Sequence, residues 1–318
     1  MIKTYLSDMA DRLDIIGDIH GCEQTLIRLL TQLGYQKHNG VYRHPERLAV
    51  FLGDIIDRGP RIREALNLVR SMVEAGCAKM ILGNHEVHAL CYCSAHPSAP
   101  GNYIRPHTPR NTHTIAATLE QFAAYPDEWQ DHLQWLKTLP LYLDFGQYRV
   151  VHACWDDALI TARSSARLSE DELTAMADPA SATAQGIKRL TSGFELALPD
   201  DCRMFSAEGY RRRSFRAKFW VNNPACLGDL EFQPDALPDA VAQQPVDSDL
   251  KARLVVYDSD QPPVFVGHYW LSGKPAPVAS NVACLDYSAV KFGRLVAYQT
   301  DASGVINSEN FVWIYVDP

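Results

Sequence analysis

The sequence predicts an α/β protein built from strand–loop–helix repeats. Three observations carry this. Short apolar runs rich in Val, Ile and Leu recur along the chain and stop at polar residues. A glycine precedes the polar residue in four of the five runs. Helical apolar spacing follows the first three, which is the mark of βαβ units.

The elements follow in order. The runs 13–17, 48–53, 80–83, 148–151 and 264–267 end at Asp18, Asp54, Asn84, His152 and His268. Runs of this length and composition read as buried strands. Helical spacing covers 23–33, 61–75 and 85–92. The stretch 94–113, rich in Pro, His, Asn and Ser, reads as a loop. A helix is expected over 114–138, broken and restarted at Pro126-Asp127. Ser169, three residues before Glu172, predicts a capping box and a helix start. The stretch 232–250, rich in Pro, Asp and Gln, reads as an exposed loop. Strands at 282–287, 294–299 and 311–316 close the core. One domain is expected over 1–318, with a helical insert or cap at 94–146 and a second insert at 165–250 of undefined structure.

Composition excludes several classes. The chain has 318 residues, 47% hydrophobic and 21% charged, which is too apolar for disorder. A net charge of −8 argues against a nucleic-acid partner. The eight cysteines contain no CxxC pair and read as reduced thiols of a cytoplasmic protein. The N-terminus has no signal-peptide pattern and no apolar run has membrane-span length, so no membrane partner is expected.

The polar residues at the strand ends form one set, because ligands gather beyond the carboxyl ends of strands in open α/β sheets. Asp18, His20, Asp54, Asn84, His152 and His268 offer carboxylates, imidazoles and an amide, and no thiolate. That donor set suits Mn²⁺, Fe or Zn²⁺. Six ligands suffice for two ions about 3.5–4 Å apart sharing a carboxylate. Gly17 and Gly21 let the backbone turn so that Asp18 and His20 face one ion.

Gly17-Asp18-Ile19-His20-Gly21, Gly53-Asp54-Ile55-Ile56-Asp57-Arg58-Gly59 and Gly83-Asn84-His85-Glu86 occur in this order, 36 and 30 residues apart counted between Asp18, Asp54 and Asn84. Together they resemble the calcineurin-type metallophosphoesterases. The Asp-Arg-Gly ending and the Gly-Asn-His-Glu form are similar to the phosphoprotein phosphatase branch, which includes bacterial symmetrical diadenosine tetraphosphatases. His152 and Gly267-His268 complete the pattern. The resemblance implies a four-layer α/β/β/α sandwich of two mixed sheets. It implies that Asp18, His20 and His268 hold one ion. Asn84, His152 and the bridging Asp54 hold the other, with Mn²⁺ the first choice. It implies that a metal-bridging hydroxide attacks phosphorus directly, that His85 is the general acid, and that Asp57 orients His85. By the same resemblance Arg58 and Asn84 contact the phosphate, and Glu86 holds the loops together. A further phosphate-binding arginine is expected within 211–216, with Arg212 and Arg216 favoured.

Other patterns have plainer readings. His88, Cys91, Cys93 and His96 do not fit structural-zinc spacing. Asp156 and Asp157 read as a turn, and Trp129 and Trp135 as core. Three functions compete. The first is hydrolysis of phosphomonoesters, on a phosphoprotein or a phosphorylated small molecule. The second is cleavage of diadenosine tetraphosphate, for which Tyr92, Tyr103 and Trp155 offer base-stacking rings. The third is an inactive binding module that keeps the fold.

Overall fold

The computed structural model describes residues 12–200, 202–205, 211–232 and 236–316. The sequence reading of residues 1–11, and parts of the 165–250 insert, lie outside the described residues. Along the chain come β1 (Leu13–Ile16), the helix Glu23–Gln32, the hairpin β2 (Gln36–His38) and β3 (Val41–Arg43), and β4 (Leu48–Phe51). The helix Ile62–Glu74, β5 (Ala78–Met80) and the helix Asn84–Cys93 follow. Next are the helices Pro109–Gln121 and Pro126–Leu136, then β6 (Tyr142–Asp144) and β7 (Arg149–Val151). The helices Asp157–Ala162, Glu170–Ala175 and Ala182–Ser192 precede β8 (Glu195–Ala197) and β9 (Ser214–Arg216). Short helices Leu227–Leu230, Asp239–Ala242 and Ser248–Lys251 lead to β10 (Val264–Val266), β11 (Val282–Cys284) and β12 (Asp286–Tyr287). The last strands are β13 (Arg294–Gln299) and β14 (Phe311–Tyr315).

Two mixed sheets stack. The first runs β12-β13-β1-β4-β5, with β14 on β13. The second runs β11-β10-β7-β6. Side chains alternate faces along a strand, and this divides the core. Leu13, Ile15, Leu48 and Val50 meet Tyr148, Val150, Phe265 and Ala283 in one cluster between the sheets. Ile16 and Phe51 instead share a cluster with the helical Leu26, Leu29, Leu66 and Val69. Val151 and Val266 share it with Ile187 and Leu190 of the helix Ala182–Ser192. The layers are therefore helix, sheet, sheet, helix. β1, β4 and β5 are parallel, as are β7, β10 and β11. Their carboxyl ends thus deliver the glycine-bounded loops to one place.

Asp14 is fully buried in β1 and needs partners. Arg47 Nε donates to it at 2.8 Å, Tyr35 Oη at 2.9 Å and Gln299 Nε2 at 3.1 Å. That network ties β1, β13 and the segment before β4 together.

Two expected boundaries differ. The loop expected over 94–113 ends early, because a helix begins at Pro109. Thr108 accepts the Asn111 N–H and proline occupies the first turn, both strong start signals. The strand expected over 282–287 is two strands in different sheets. The chain changes sheet at Leu285, whose N–H donates to Val266 O at 2.7 Å. The Ser169–Glu172 capping box is present, and the expected 232–250 loop contains two four-residue helices. Trp129 and Trp135 are buried. Among the described residues no helix is long and apolar enough to cross a membrane.

His132, on the helix Pro126–Leu136, packs against the helix Ile62–Glu74. Its Nε2 donates to Asn67 Oδ1 at 3.0 Å, and its Nδ1 accepts from Arg70 at 3.4 Å. Burial, with the Arg70 charge beside it, lowers its pKa to about 4. The unfolded chain binds this proton near the ordinary histidine value, so stability is full above that value and is lost as pH falls toward 4. Between pH 7 and 5 the protein is expected to lose roughly 1 kcal/mol from this residue, after allowance for solvent screening. Urea unfolding should show a smaller loss in His132→Gln; equal losses contradict the assignment.

Candidate metal centre and active site

The loops after β1, β4, β5, β7 and β10 converge as the parallel strands require. Glu86, in the first turn of the helix Asn84–Cys93, joins two of them. Its fully buried carboxylate accepts the N–H groups of Gly83 at 2.9 Å, Asp54 at 2.7 Å and Ile55 at 2.8 Å. Backbone strain concentrates here. Of ten non-glycine residues with positive φ among the described residues, six are His20, Asp54, Asp57, Arg58, His268 and Trp270. Such conformations persist only where surrounding bonds hold them. Asp54, at φ 51°, is held by Glu86 and by its own Oδ1, which accepts the His85 N–H at 3.0 Å.

Asp54 is the centre of the cluster. Its Oδ2 lies 3.3 Å from His152 Nε2 and 3.6 Å from His20 Nε2. Ligating atoms of His20, Asp54 and His85 lie within 4.8 Å of one another, and so do those of Asp54, His152 and His268. Asn84 Oδ1 lies 3.2 Å from His152 Nε2 and 2.7 Å from His268 Nδ1. Asp18 Oδ2 accepts the His268 N–H at 3.1 Å. All six sequence-predicted ligands therefore meet in one place. The expected grouping set His268 with Asp18 and His20. In the structure its ring stands beside Asn84 and His152, while its backbone holds Asp18.

The donor chemistry fits divalent cations. Asp18 Oδ1, His20 Nε2 and His268 Nε2 are buried and have no hydrogen-bond partner. Buried polar atoms are normally satisfied, so three together mark a place for a cation. His20 Nδ1 faces Ile56 O at 2.8 Å and His152 Nδ1 faces Leu52 O at 2.6 Å. Each Nδ1–H donates to its carbonyl, which turns the Nε2 of His20 and His152 inward. Burial, then the Asp286 carboxylate, pushes Asp18 well above its usual range. Burial would also raise Asp54, but His152, His85 and His20 outweigh it and hold it well below. Burial opposes protonation of His152, yet Asp54 and Asp18 outweigh it and raise it to about 10. The field that draws a proton to His152 is the field that would draw a cation.

Beside this cluster, His85 Nδ1–H donates to Asp57 Oδ2 at 2.5 Å, and Arg58 donates to His85 Nε2 at 3.0 Å. This assigns the ring proton to Nδ1 from the bonding network. Arg58 also lies over Trp270, with its Cζ 4.3 Å from the ring centroid. Lys291 Nζ lies 3.8 Å from the same centroid. Arg216, on β9, has no carboxylate within ion-pair distance among the described residues. After burial, its charge is the largest influence lowering His268, so it faces the same centre. Burial lowers Arg216 itself, and half-buried Arg212 adds to this.

Sequence reasoning missed four participants. Thr118 lies in the insert helix Pro109–Gln121. Its hydroxyl donates to Asp57 Oδ1 and accepts the Asp57 N–H. Asp286 accepts the N–H groups of Trp270 and Ser288, each at 2.9 Å. Trp270 packs on Arg58, and Lys291 contacts the same ring. None carries a local motif; only the packing of distant segments reveals them. Trp155, expected as a stacking ring, is 1% exposed and cannot meet a base.

Close packing explains the glycine of Gly267-His268. A Cβ on Gly267 would stand 2.0 Å from Asp18 Oδ1. Gly267→Ala should therefore displace that carboxylate and weaken Mn²⁺ affinity about 10- to 100-fold. Equilibrium dialysis checks this, and unchanged affinity contradicts it.

The chain is also similar to known proteins. A bis(5'-nucleosyl)-tetraphosphatase PrpE [asymmetrical] of Geobacillus sp. (strain WCH70) is 33% identical over 153 residues, 45% of this chain and 57% of that protein. The Bacillus subtilis (strain 168) protein of the same name is 34% identical over 44% of this chain and 56% of its own length. A symmetrical bis(5'-nucleosyl)-tetraphosphatase of Aromatoleum aromaticum is 36% identical over 43% of this chain and 42% of that protein. The matched segment thus spans about half the length of these relatives. Residues 12–177, just over half of the chain and including five of the six candidate ligands, match the calcineurin-like phosphoesterase family, and the chain belongs to that family.

Proposed function

We propose that this protein hydrolyses phosphoric esters or anhydrides at a centre of two divalent cations. The observation that supports this most is the Asp54 carboxylate, common to both groups of ligating atoms. Asp18 and His20 would hold one ion, and Asn84 and His152 the other, with Asp54 between them and His268 at their junction. The mixed nitrogen and oxygen donors favour Mn²⁺, with Fe and Zn²⁺ as the other fitting ions. When bound, the cations supply charge neutralisation and an activated water for in-line attack on phosphorus.

The chain's own residues do the rest. Arg58, Asn84 and Arg216 face the place where the phosphate docks, and Arg212 stands behind Arg216. An arriving phosphate takes the Arg58 N–H away from His85 Nε2. That nitrogen is then free to take a proton from solvent, and it gives this proton to the leaving oxygen and returns to the neutral ring. Asp57 stabilises the protonated ring, and Thr118 fixes Asp57. The six candidate ligands and the His85–Asp57 pair support an active enzyme over an inactive binding module.

The names of the relatives support a dinucleoside polyphosphate as substrate. A phosphomonoester, small or on a protein, is the other class this centre can serve. Eight free cysteines suit a reducing compartment such as the cytoplasm. The test is hydrolysis with added Mn²⁺ of diadenosine tetraphosphate, p-nitrophenyl phosphate, and phosphoserine, phosphothreonine and phosphotyrosine peptides. Diadenosine tetraphosphate should show the highest kcat/KM. A phosphopeptide in first place overturns the substrate, and no hydrolysis of any overturns the function. His85→Ala should retain its Mn²⁺ and lose turnover about 100- to 10,000-fold. Full turnover in that variant removes His85 as the acid.

A further inference from the structure

A cavity of about 450 Å³ opens at Asn84 and runs away from the metal centre. One wall is the helix Asn84–Cys93 with the segment Ile104–Pro106 and the helix Pro109–Gln121. The other comprises Met176, Ala177 and the helix Ala182–Ser192. The two inserts thus enclose it between them. Its size lies within the range of small-ligand sites, and its walls mix apolar side chains with hydroxyl, amide and cationic groups.

Arg105 gives this cavity its charge. Its backbone N–H donates to Cys91 O at 2.9 Å. Its guanidinium donates to His88 Nδ1 at 3.2 Å, while His88 Nε2 donates to Asn111 O at 3.0 Å. That pair of bonds fixes the neutral tautomer of His88 and aims the guanidinium. No carboxylate lies within ion-pair distance of Arg105 among the described residues. The flanking residues lock its loop. His107 stacks on Tyr92 at 3.8 Å and 9°, and Tyr103 stacks on His107 at 3.9 Å and 18°. Tyr92 and Tyr103 therefore stack on the protein itself and hold Arg105 in place. Lys188 adds a second cation at the opposite wall, half-shared with Glu195 at 2.7 Å.

We propose that this cavity is a nucleotide subsite: it takes a nucleoside, and Arg105 binds the phosphate next to the one at the metal centre. The inference rests on the hydrolase reading for its substrate class. The near end of the cavity is Asn84, so the ligand is continuous with the reacting phosphate. An oriented but unneutralised guanidinium selects an anion and suits two phosphate oxygens at once. Beyond it, a half-open space lined by apolar side chains and scattered hydroxyl and amide groups fits a flat base with polar edges. His88 and Tyr92 then act as positioning residues.

Calorimetry on the purified full chain, with ADP and inorganic pyrophosphate as probes, separates a nucleotide subsite from a bare phosphate site. ADP should bind about tenfold or more tighter than pyrophosphate, since only ADP fills the cavity. Arg105→Ala should weaken ADP about tenfold or more. Ala177→Phe, which fills the cavity from the opposite wall, should weaken ADP and spare pyrophosphate, and it keeps the test open if Arg105→Ala fails to fold. Equal affinities for the two probes, or ADP binding as tight in both variants as in the wild type, overturn the proposal. ADP preference in a protein that hydrolyses no phosphoester supports the subsite and removes the hydrolase reading. Hydrolysis without ADP preference removes the subsite alone.

Discussion

One buried carboxylate organises this active site. Glu86 has no exposed surface and satisfies its charge on backbone N–H groups of two separate loops. A buried anion left without donors costs several kcal/mol, so the loops after β4 and β5 are held together by that demand. Asp54 can keep its left-handed backbone because Glu86 holds its N–H. His85 can reach Asp57 because its own N–H is held by Asp54. The strained backbone at Asp57, His268 and Trp270 is held in turn by Thr118, Asp18 and Asp286.

The second constraint is electrostatic. Three carboxylates, Asp18, Asp54 and Asp286, share a buried space with three imidazoles. Proteins rarely bury such a set unless it is paired or coordinates metal. Here the imidazoles are fixed by carbonyls on one side and turn their free nitrogens inward, so pairing alone leaves atoms unsatisfied. Around this cluster stand the cations Arg58, Arg216 and, further out, Arg105. A chain of net charge −8 therefore gathers cations around this one cluster.

Much of this was legible in the sequence. The strand runs ending at Asp18, Asp54, Asn84, His152 and His268 marked both the βαβ architecture and the residues that cluster at its centre, because short motifs place these residues directly. Strand direction was harder. The stretch 282–287 is apolar except for Asp286 and reads as one strand, and nothing local shows that it changes sheet at Leu285. The partners of the catalytic groups were hidden for the same reason. Thr118 looks like an ordinary helical threonine until its helix packs on Asp57, 61 residues away. Trp270 and Asp286 acquire their roles only when β12 meets the loop after β10. The histidines and cysteines near 88–96 are not among the candidate metal-ligating groups of the described residues, and His88 bonds Arg105 and Asn111 O instead.

The proposed centre requires Asp54 to join two cations into one unit. Electron paramagnetic resonance of the protein titrated with Mn²⁺ reports on this directly. Two ions per chain with an exchange-coupled spectrum at full loading are expected. A single ion per chain, or two ions with uncoupled signals, contradicts that centre.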